Sequence, residues 1–251
     1  MKLYIDKETY VETEKAVDIS IPLSNTEDNP RAWYVEKPVI EPVRTEHYIG
    51  SVKEGGAVNF RNIAFNPHGH GTHTECLGHI THEVHSVNQV MSEYFFRALV
   101  ISVLPKRIIQ ENGDVDFVIL PEQLELEGVN VDALVVRTLP NDRKKMKLNY
   151  SSTNPTYFHE SCVEKILEAG IQHLLVDTPS VDREEDGGVL AFHHSFWGVP
   201  NQPNFKRTIT ELIFVDNSIV DGDYLLELQV APFVNDAAPS RPLLYRIQKE
   251  S

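Results

Sequence analysis

The sequence predicts an α/β chain: one mixed, strand-rich sheet or barrel-like core flanked by a few helices. Three observations carry that expectation. Short runs of β-branched and aromatic residues recur along the whole chain. Helical periodicity is confined to brief segments between them. The 251 residues, 41% apolar and 24% charged, suit one domain spanning residues 1–251 with material for a real core.

Taken in order, Ala16–Pro22, Val58–Phe65 and Phe95–Leu104 read as strands by their β-branched and aromatic content. Pro121–Leu126 opens with proline at a first helical position followed by acidic residues, the pattern of a short helix. Val131–Thr138 and His173–Asp177 are short apolar runs of the kind found in buried strands. Between them, Tyr157–Ala169 puts Phe158, Cys162, Ile166 and Ala169 on one helical face, and Gly170 supplies a stop. Ile209–Val215, Tyr224–Val230 and Leu243–Ile247 return to strand character. Two irregular stretches, Leu139–Pro155 and the acidic Thr178–Ala191, are long enough to be functional loops or surface decoration.

Composition excludes several classes of partner. Lys plus Arg number 23 against 37 for Asp plus Glu, a formal charge of −14, so the basic footprint needed for nucleic acid or an anionic membrane is missing. No run approaches the roughly 20 apolar residues of a membrane helix, and MKLYIDKETYVETEK is too acidic and polar for a signal peptide. Two cysteines, Cys76 and Cys162, fit a reducing compartment, and the expected location is cytoplasmic.

The histidines carry the chemistry. Six of the eleven lie between His68 and His85, in a segment reading Asn66-Pro67-His68-Gly69-His70-Gly71-Thr72-His73-Thr74-Glu75-Cys76-Leu77-Gly78-His79. Imidazole and carboxylate are the usual ligands of zinc and its neighbours. In an extended segment His73 and Glu75 share a face and can address one ion. Gly69 and Gly71 permit a bend that swings in a third ligand, and His79 is placed to act as acid or base. A lone histidine pair is ordinarily surface decoration; it is the density here that favours a metal. His82 and His85 read as bystanders. Cys76 points away from the Glu75 face, against a nucleophilic role. Asp177, Ser180 and Asp182 read as loop hydrogen-bonding groups, because no histidine is assigned to them as a base. Trp33, Tyr34, Phe196 and Trp197 are candidates for packing a ring, although aromatic residues more often fill a core.

The segment resembles the signature of the cyclase family of metal-dependent hydrolases, which includes bacterial kynurenine formamidases and isatin hydrolases: His-x-Gly-Thr-His-x-Asp-x-Pro-x-His. Gly71-Thr72-His73 and His79 fit at the right spacing, and Glu75 stands where the family has Asp. Further segments resemble family landmarks in order along nearly the whole chain: Asp18-Ile19-Ser20, Arg137-Thr138, Asp177 to Asp182, His193 to Trp197, Glu211-Leu212 and Ala238 to Arg241. The resemblance implies a fold of the swivelling β/β/α type and a homodimer or homotetramer. It also implies one or two divalent ions, zinc or alternatively manganese, held by His73, Glu75, His193 and Glu211, with His79 as general acid/base. Gly69 occupies the first ligand position, so His68 or His70 must substitute; His68 is preferred because Gly69 beside it absorbs the distortion. The insertion Pro200–Arg207 loosens the register toward Glu211, and His194 competes with His193. The implied activity is hydrolysis of a formamide, amide or cyclic amide of a small molecule by metal-activated water, with N-formylkynurenine the best-known family substrate. Lactone hydrolysis, and a catalytically altered protein that only binds metal or ligand, are the alternatives.

Overall fold

The computed structural model describes residues 1–250. Its centre is a sheet of eight strands, of which seven close on themselves. In chain order the eight are β1 (Val17–Asp18), β2 (His73–Glu75), β3 (Phe95–Val103), β4 (Ala133–Thr138), β5 (His173–Val176), β6 (Thr208–Glu211), β7 (Gly222–Val230) and β8 (Ala237–Arg246). Around the ring the order is β7–β3–β4–β5–β6–β2–β8, and β8 pairs with β7 to close the barrel, with β1 on the outer edge of β8. Strands β3 to β6 run parallel, and β2, β8 and β7 complete the ring antiparallel. Closure removes the open edges of the ring, leaving a mixed barrel as the α/β core.

Local sequence explains the ring. Strand β4 (ALVVRT) is buried at every position, as are β5 and β6, so these runs are apolar without strict alternation. Helix α1 (Cys162–Glu168) and helix α2 (Ala191–Trp197) supply the crossovers that parallel neighbours require. Among the described residues no helix is long and apolar enough to cross a membrane.

Several elements differ from their sequence reading, each for a local reason. The helix expected over Tyr157–Ala169 is only Cys162–Glu168; Tyr157–Phe158 is extended and pairs with Val118–Ile119, while Phe158 N–H donates to Val181 O. Pro121–Leu126 makes a single 3-10 turn, Pro121–Gln123, because the Gln123 side chain accepts from Leu120 N and ties the turn back. The strand expected over Ile209–Val215 ends at Glu211, where Leu212 takes a left-handed φ of 54°. Strand β8 begins six residues before the expected Leu243 because Ala237–Pro239 pairs with β2. Of Val58–Phe65 only Arg61–Ala64 is a strand, and it pairs with Val39–Pro42 in an exposed two-stranded arm outside the barrel.

The core tolerates little change. Leu226 of β7 is fully buried in the main hydrophobic cluster, so Leu226→Ala should lower stability by about 2–5 kcal/mol. Urea denaturation followed by circular dichroism reads this as a lower midpoint with an unchanged slope.

Candidate metal centre

Sheet register assembles the site. His73 and Glu75 alternate onto one face of β2, and Glu211 of β6 sits directly opposite His73. The intervening Thr74 points to the other face, where its hydroxyl bonds that of Thr210 at 2.8 Å. His73 Nε2 lies 3.4 Å from Glu211 Oε2. Its other nitrogen, Nδ1, is 2.9 Å from Gly71 O, which holds the ring with Nε2 facing the carboxylate.

Helix α2 closes the face. His193 Nε2 is 3.0 Å from Glu75 Oε1 and 3.9 Å from Glu211 Oε1. Behind it, Asp182 accepts from the backbone N–H groups of Phe192 and His193 and lies 2.6 Å from His193 Nδ1. Asp182 is thus a loop hydrogen-bonding group, as its position suggested, and also the support of a site histidine. His194, one position on, points elsewhere, with Nδ1 3.2 Å from Val199 O. The Pro200–Arg207 insertion does not disturb this register, because Trp197 Nε1 donates to Arg207 O and Arg207 Nη1 donates to Phe196 O, stitching the loop to α2.

The departure at position 69 has a steric cause. A Cβ there would sit 2.6 Å from Val35 Cγ2 and 3.1 Å from Ala32 O, so this position faces packed chain and a side chain would have to displace Val35. His68 reaches the centre instead: Nδ1 is 3.0 Å from Glu75 Oε2. His70 does not. Its Nδ1 accepts from Asn66 N at 2.7 Å and its Nε2 lies 2.5 Å from Glu36 O, so both ring nitrogens are committed to the adjoining loops and the expectation of His70 as a ligand is corrected. His79 follows a turn in which Gly78 approaches His85 too closely for a side chain: a Cβ at position 78 would fall 2.2 Å from His85 O. The His79 ring stacks on His68 with centroids 4.2 Å apart, and its Nε2 is 3.9 Å from Glu75 Oε2.

Burial and mutual charge couple the members of this cluster. Glu75 and Glu211 are both fully enclosed. Burial raises Glu75, but the charges and hydrogen bonds of His79, His193 and His68 outweigh it and hold the carboxyl well below its ordinary range. Glu211 is pushed up, by burial first and by the charge of Glu75 second. Burial pulls His193 and His68 down, yet carboxylate partners lift both to about 10: Asp182 and Glu75 for His193, Asp236 and Glu75 for His68. Two buried polar atoms, His73 Nε2 and Glu75 Oε2, have no hydrogen bond of good geometry, although His68 Nδ1 is close to the latter. Imidazole nitrogens and carboxylate oxygens converge here, with His68, His73 and Glu75 placing ligand atoms within 4.8 Å of one another, as do Glu75, His79 and His193. That donor set fits a divalent ion of the zinc type.

The cluster opens into a cleft of ≈ 480 Å³ whose walls include Trp33, Val35, Ser180 and Leu190. Of the ring-packing candidates, Trp33 lines this cleft; Tyr34 is exposed, and Phe196 and Trp197 are fully buried core. Cys76 is buried, its thiol donating to His85 O, and burial pushes it up to about 12, which removes it as a nucleophile. Asp177 is taken up by Thr138 and Lys145, and Ser180 Oγ accepts from Asp182 N, so no Ser–acid pair forms. His82 is exposed, and His85 packs on Phe205, away from the cluster. The residue that sequence reading missed is Asp236, 2.9 Å from His68 Nε2. It lies just ahead of β8 in a stretch with no motif of its own.

The family model described as "Putative cyclase" matches residues 17–183. The chain belongs to the cyclase family. A kynurenine formamidase of Bacillus cereus (strain ATCC 10987 / NRS 248) is 27% identical over 235 residues, covering 93% of this chain and 99% of the relative. Two solved structures share the fold. One, a potential metal-dependent hydrolase with cyclase activity, has a TM-score of 0.64 at 15% identity and covers 94% of this chain and 99% of its own. The other, an isatin hydrolase bound to the product analogue thioisatinate, has a TM-score of 0.65 at 14% identity over 93% of each chain. The seven-stranded mixed barrel is therefore the cyclase-family fold.

The raised imidazoles set a pH dependence for the chelator-treated protein. His68 and His193 have folded values of about 10 against an ordinary 6.5. A raised folded value means stabilisation that is complete below about 6.5 and is lost as pH climbs through about 10. Thermal unfolding with chelator present should give a lower midpoint at pH 9.5 than at pH 6.5, and Asp182→Asn should flatten that difference.

Proposed function

We propose that this cyclase-family protein is a metal-dependent amidohydrolase that cleaves a small non-peptide C–N bond, with an aryl formamide of the N-formylkynurenine type, or a cyclic aryl amide, as substrate. The observation that carries the reading is the buried meeting of His68, His73 and His193 with Glu75 and Glu211, at the floor of a cleft lined by Trp33, Val35 and Leu190 and by the charged Arg183, Glu184 and Asp186. Its kynurenine formamidase relatives support the choice of bond.

His68, His73, Glu75, His193 and Glu211 hold the ion, with zinc favoured by the nitrogen and carboxylate donors and manganese the alternative. Once bound, a divalent cation lowers the pKa of water toward neutrality and polarises a carbonyl. The chain does the rest. Asp182 and the Gly71 carbonyl fix the rings of His193 and His73, so that Nε2 of each faces the carboxylates. Trp33, Val35 and Leu190 take the apolar half of the substrate and exclude water from it. His79, at the rim with its side chain 32% exposed, can exchange protons with both the cleft and solvent. It takes the proton of the attacking water and delivers it to the departing amine.

Hydrolysis of formanilide or N-formylkynurenine, followed by the appearance of the aryl amine, tests the reading. Activity should vanish with a chelator and return with Zn²⁺ or Mn²⁺. His79→Ala should lower kcat by about 10²–10⁴-fold while the bound metal is retained. Activity that survives metal removal would sink the proposal.

His68 and His70 separate in a second measurement. His68→Ala should weaken Zn²⁺ binding by more than the roughly 10–100-fold expected for an outer-sphere partner. His70→Ala should leave metal stoichiometry unchanged and cost about 1–3 kcal/mol of stability through its lost loop bonds. Equal metal affinities in the two variants would remove His68 from the ligand set.

A further inference from the structure

Asp236 touches the site without belonging to any segment of the signature. One of its oxygens, Oδ2, lies 2.9 Å from His68 Nε2 and 3.3 Å from His79 Nδ1. In each ring that is the nitrogen turned away from Glu75; the opposite nitrogens, His68 Nδ1 and His79 Nε2, lie 3.0 and 3.9 Å from Glu75 Oε2. The two rings stack at 28°, so a single oxygen reaches both edges.

Asp236 is held for this task. Its carbonyl accepts from Cys76 N at 3.1 Å, and its neighbour Ala237 is in register with Glu75. Sheet pairing therefore fixes the carboxylate beside the histidine segment. Among the described residues these two imidazoles are the polar groups within reach of the carboxylate, so its placement serves no turn or helix end.

We infer that Asp236 is a positioning residue whose carboxylate sets the tautomer and ring orientation of both His68 and His79. The inference rests on the hydrolase reading above. With Nε2–H of His68 given to Asp236, Nδ1 is the nitrogen that would give up its proton and offer its lone pair to a metal ion shared with Glu75. Accepting Nδ1–H of His79 leaves Nε2 free to take a proton on the cleft side. The proton that His79 gains at Nε2 from the attacking water passes to the amine nitrogen as the C–N bond breaks. The Nδ1 proton stays directed at Asp236 throughout, and the carboxylate stabilises the imidazolium that exists between the two transfers.

Asp236→Ala tests this, because it removes the one oxygen that reaches both rings, and the near-isosteric Asp236→Asn, which keeps an acceptor but not the charge, should fall between it and the parent. On formanilide kcat should fall about 10²-fold or more with KM little changed. Zn²⁺ affinity, titrated calorimetrically against a competing chelator, should fall about 10–100-fold with the number of ions per chain unchanged. If both stay within about two-fold of the parent, the inference is wrong. Loss of an ion per chain would make Asp236 a ligand and would equally overturn the positioning role. Long-range ¹H–¹⁵N spectra of the Zn²⁺-loaded parent give a readout that needs no variant: His68 protonated on Nε2 and His79 on Nδ1 are required, and the opposite tautomers would falsify the assignment. Should the parent hydrolyse no aryl formamide, the hydrolase reading falls, while Zn²⁺ affinity and the tautomers still decide the role of Asp236.

Discussion

Two enclosed carboxylates, Glu75 and Glu211, on neighbouring strands of a closed barrel are the constraint around which the rest is arranged. Burying one ionised carboxylate is costly, and burying two side by side adds repulsion, so the fold must bring positive or polar groups to them or one must hold a proton. Every element near the pair answers that demand. Strand β2 contributes His73, helix α2 contributes His193, and the loop before β2 contributes His68. A second ring of acceptors, Asp182, Asp236 and the Gly71 carbonyl, then holds the far nitrogens of those imidazoles. Carboxylate and imidazole alternate outward from the centre, which fixes ring orientation while leaving His73 Nε2 and Glu75 Oε2 short of partners.

Backbone strain gathers around the same place. Of the six described non-glycine residues at positive φ, Trp33, Tyr34, Leu190 and Leu212 lie on the segments around the site and Ser152 and Asn154 elsewhere, each costing on the order of 1–3 kcal/mol. Leu212 follows Glu211 directly and Leu190 immediately precedes α2, so two of these conformations flank the elements that carry Glu211 and His193. Trp33 and Tyr34 turn the chain beside Ala32, whose N–H donates to Gly69 O. The departure from the signature at Gly69 thus belongs to a larger local arrangement. The 32–35 turn fills the space a side chain at 69 would need and lines the cleft with Trp33, and it is His68 that reaches Glu75.

Legibility varied with the kind of signal. Strand β4 was readable because a wholly buried parallel strand is a short unbroken apolar run, and Ala133–Thr138 is one. The Tyr157–Ala169 segment carries a helical pattern because Phe158 sits in helical phase with Cys162, yet the Phe158 backbone is used for pairing with Ile119 and Val181. Asp182 reads locally as a loop residue, since nothing near it in sequence reveals that its carboxylate spans forward to the first turn of α2. Asp236 gave no signal. It is distant along the chain from the histidines, and only the pairing of β8 with β2 brings it to them.

By itself the sequence determined that imidazole and carboxylate chemistry is concentrated between His68 and His79 and that the order of the segments resembles that of a cyclase-family chain, which implies that one histidine of the 193–194 pair and Glu211 return to it. It could not choose between neighbours. His68 and His70 lie on the same side of an ideal extended segment, and His193 and His194 are adjacent on a helix, so pattern alone leaves each pair open. The tertiary structure decided both. Close packing of Ala32 and Val35 against Gly69 directs His68 inward and commits His70 to the loops. Capping of α2 by Asp182 turns His193 toward Glu75. The physical reason is the same in each case: the direction of a side chain is set by what its backbone must pack and bond against, and those contacts come from residues far along the chain.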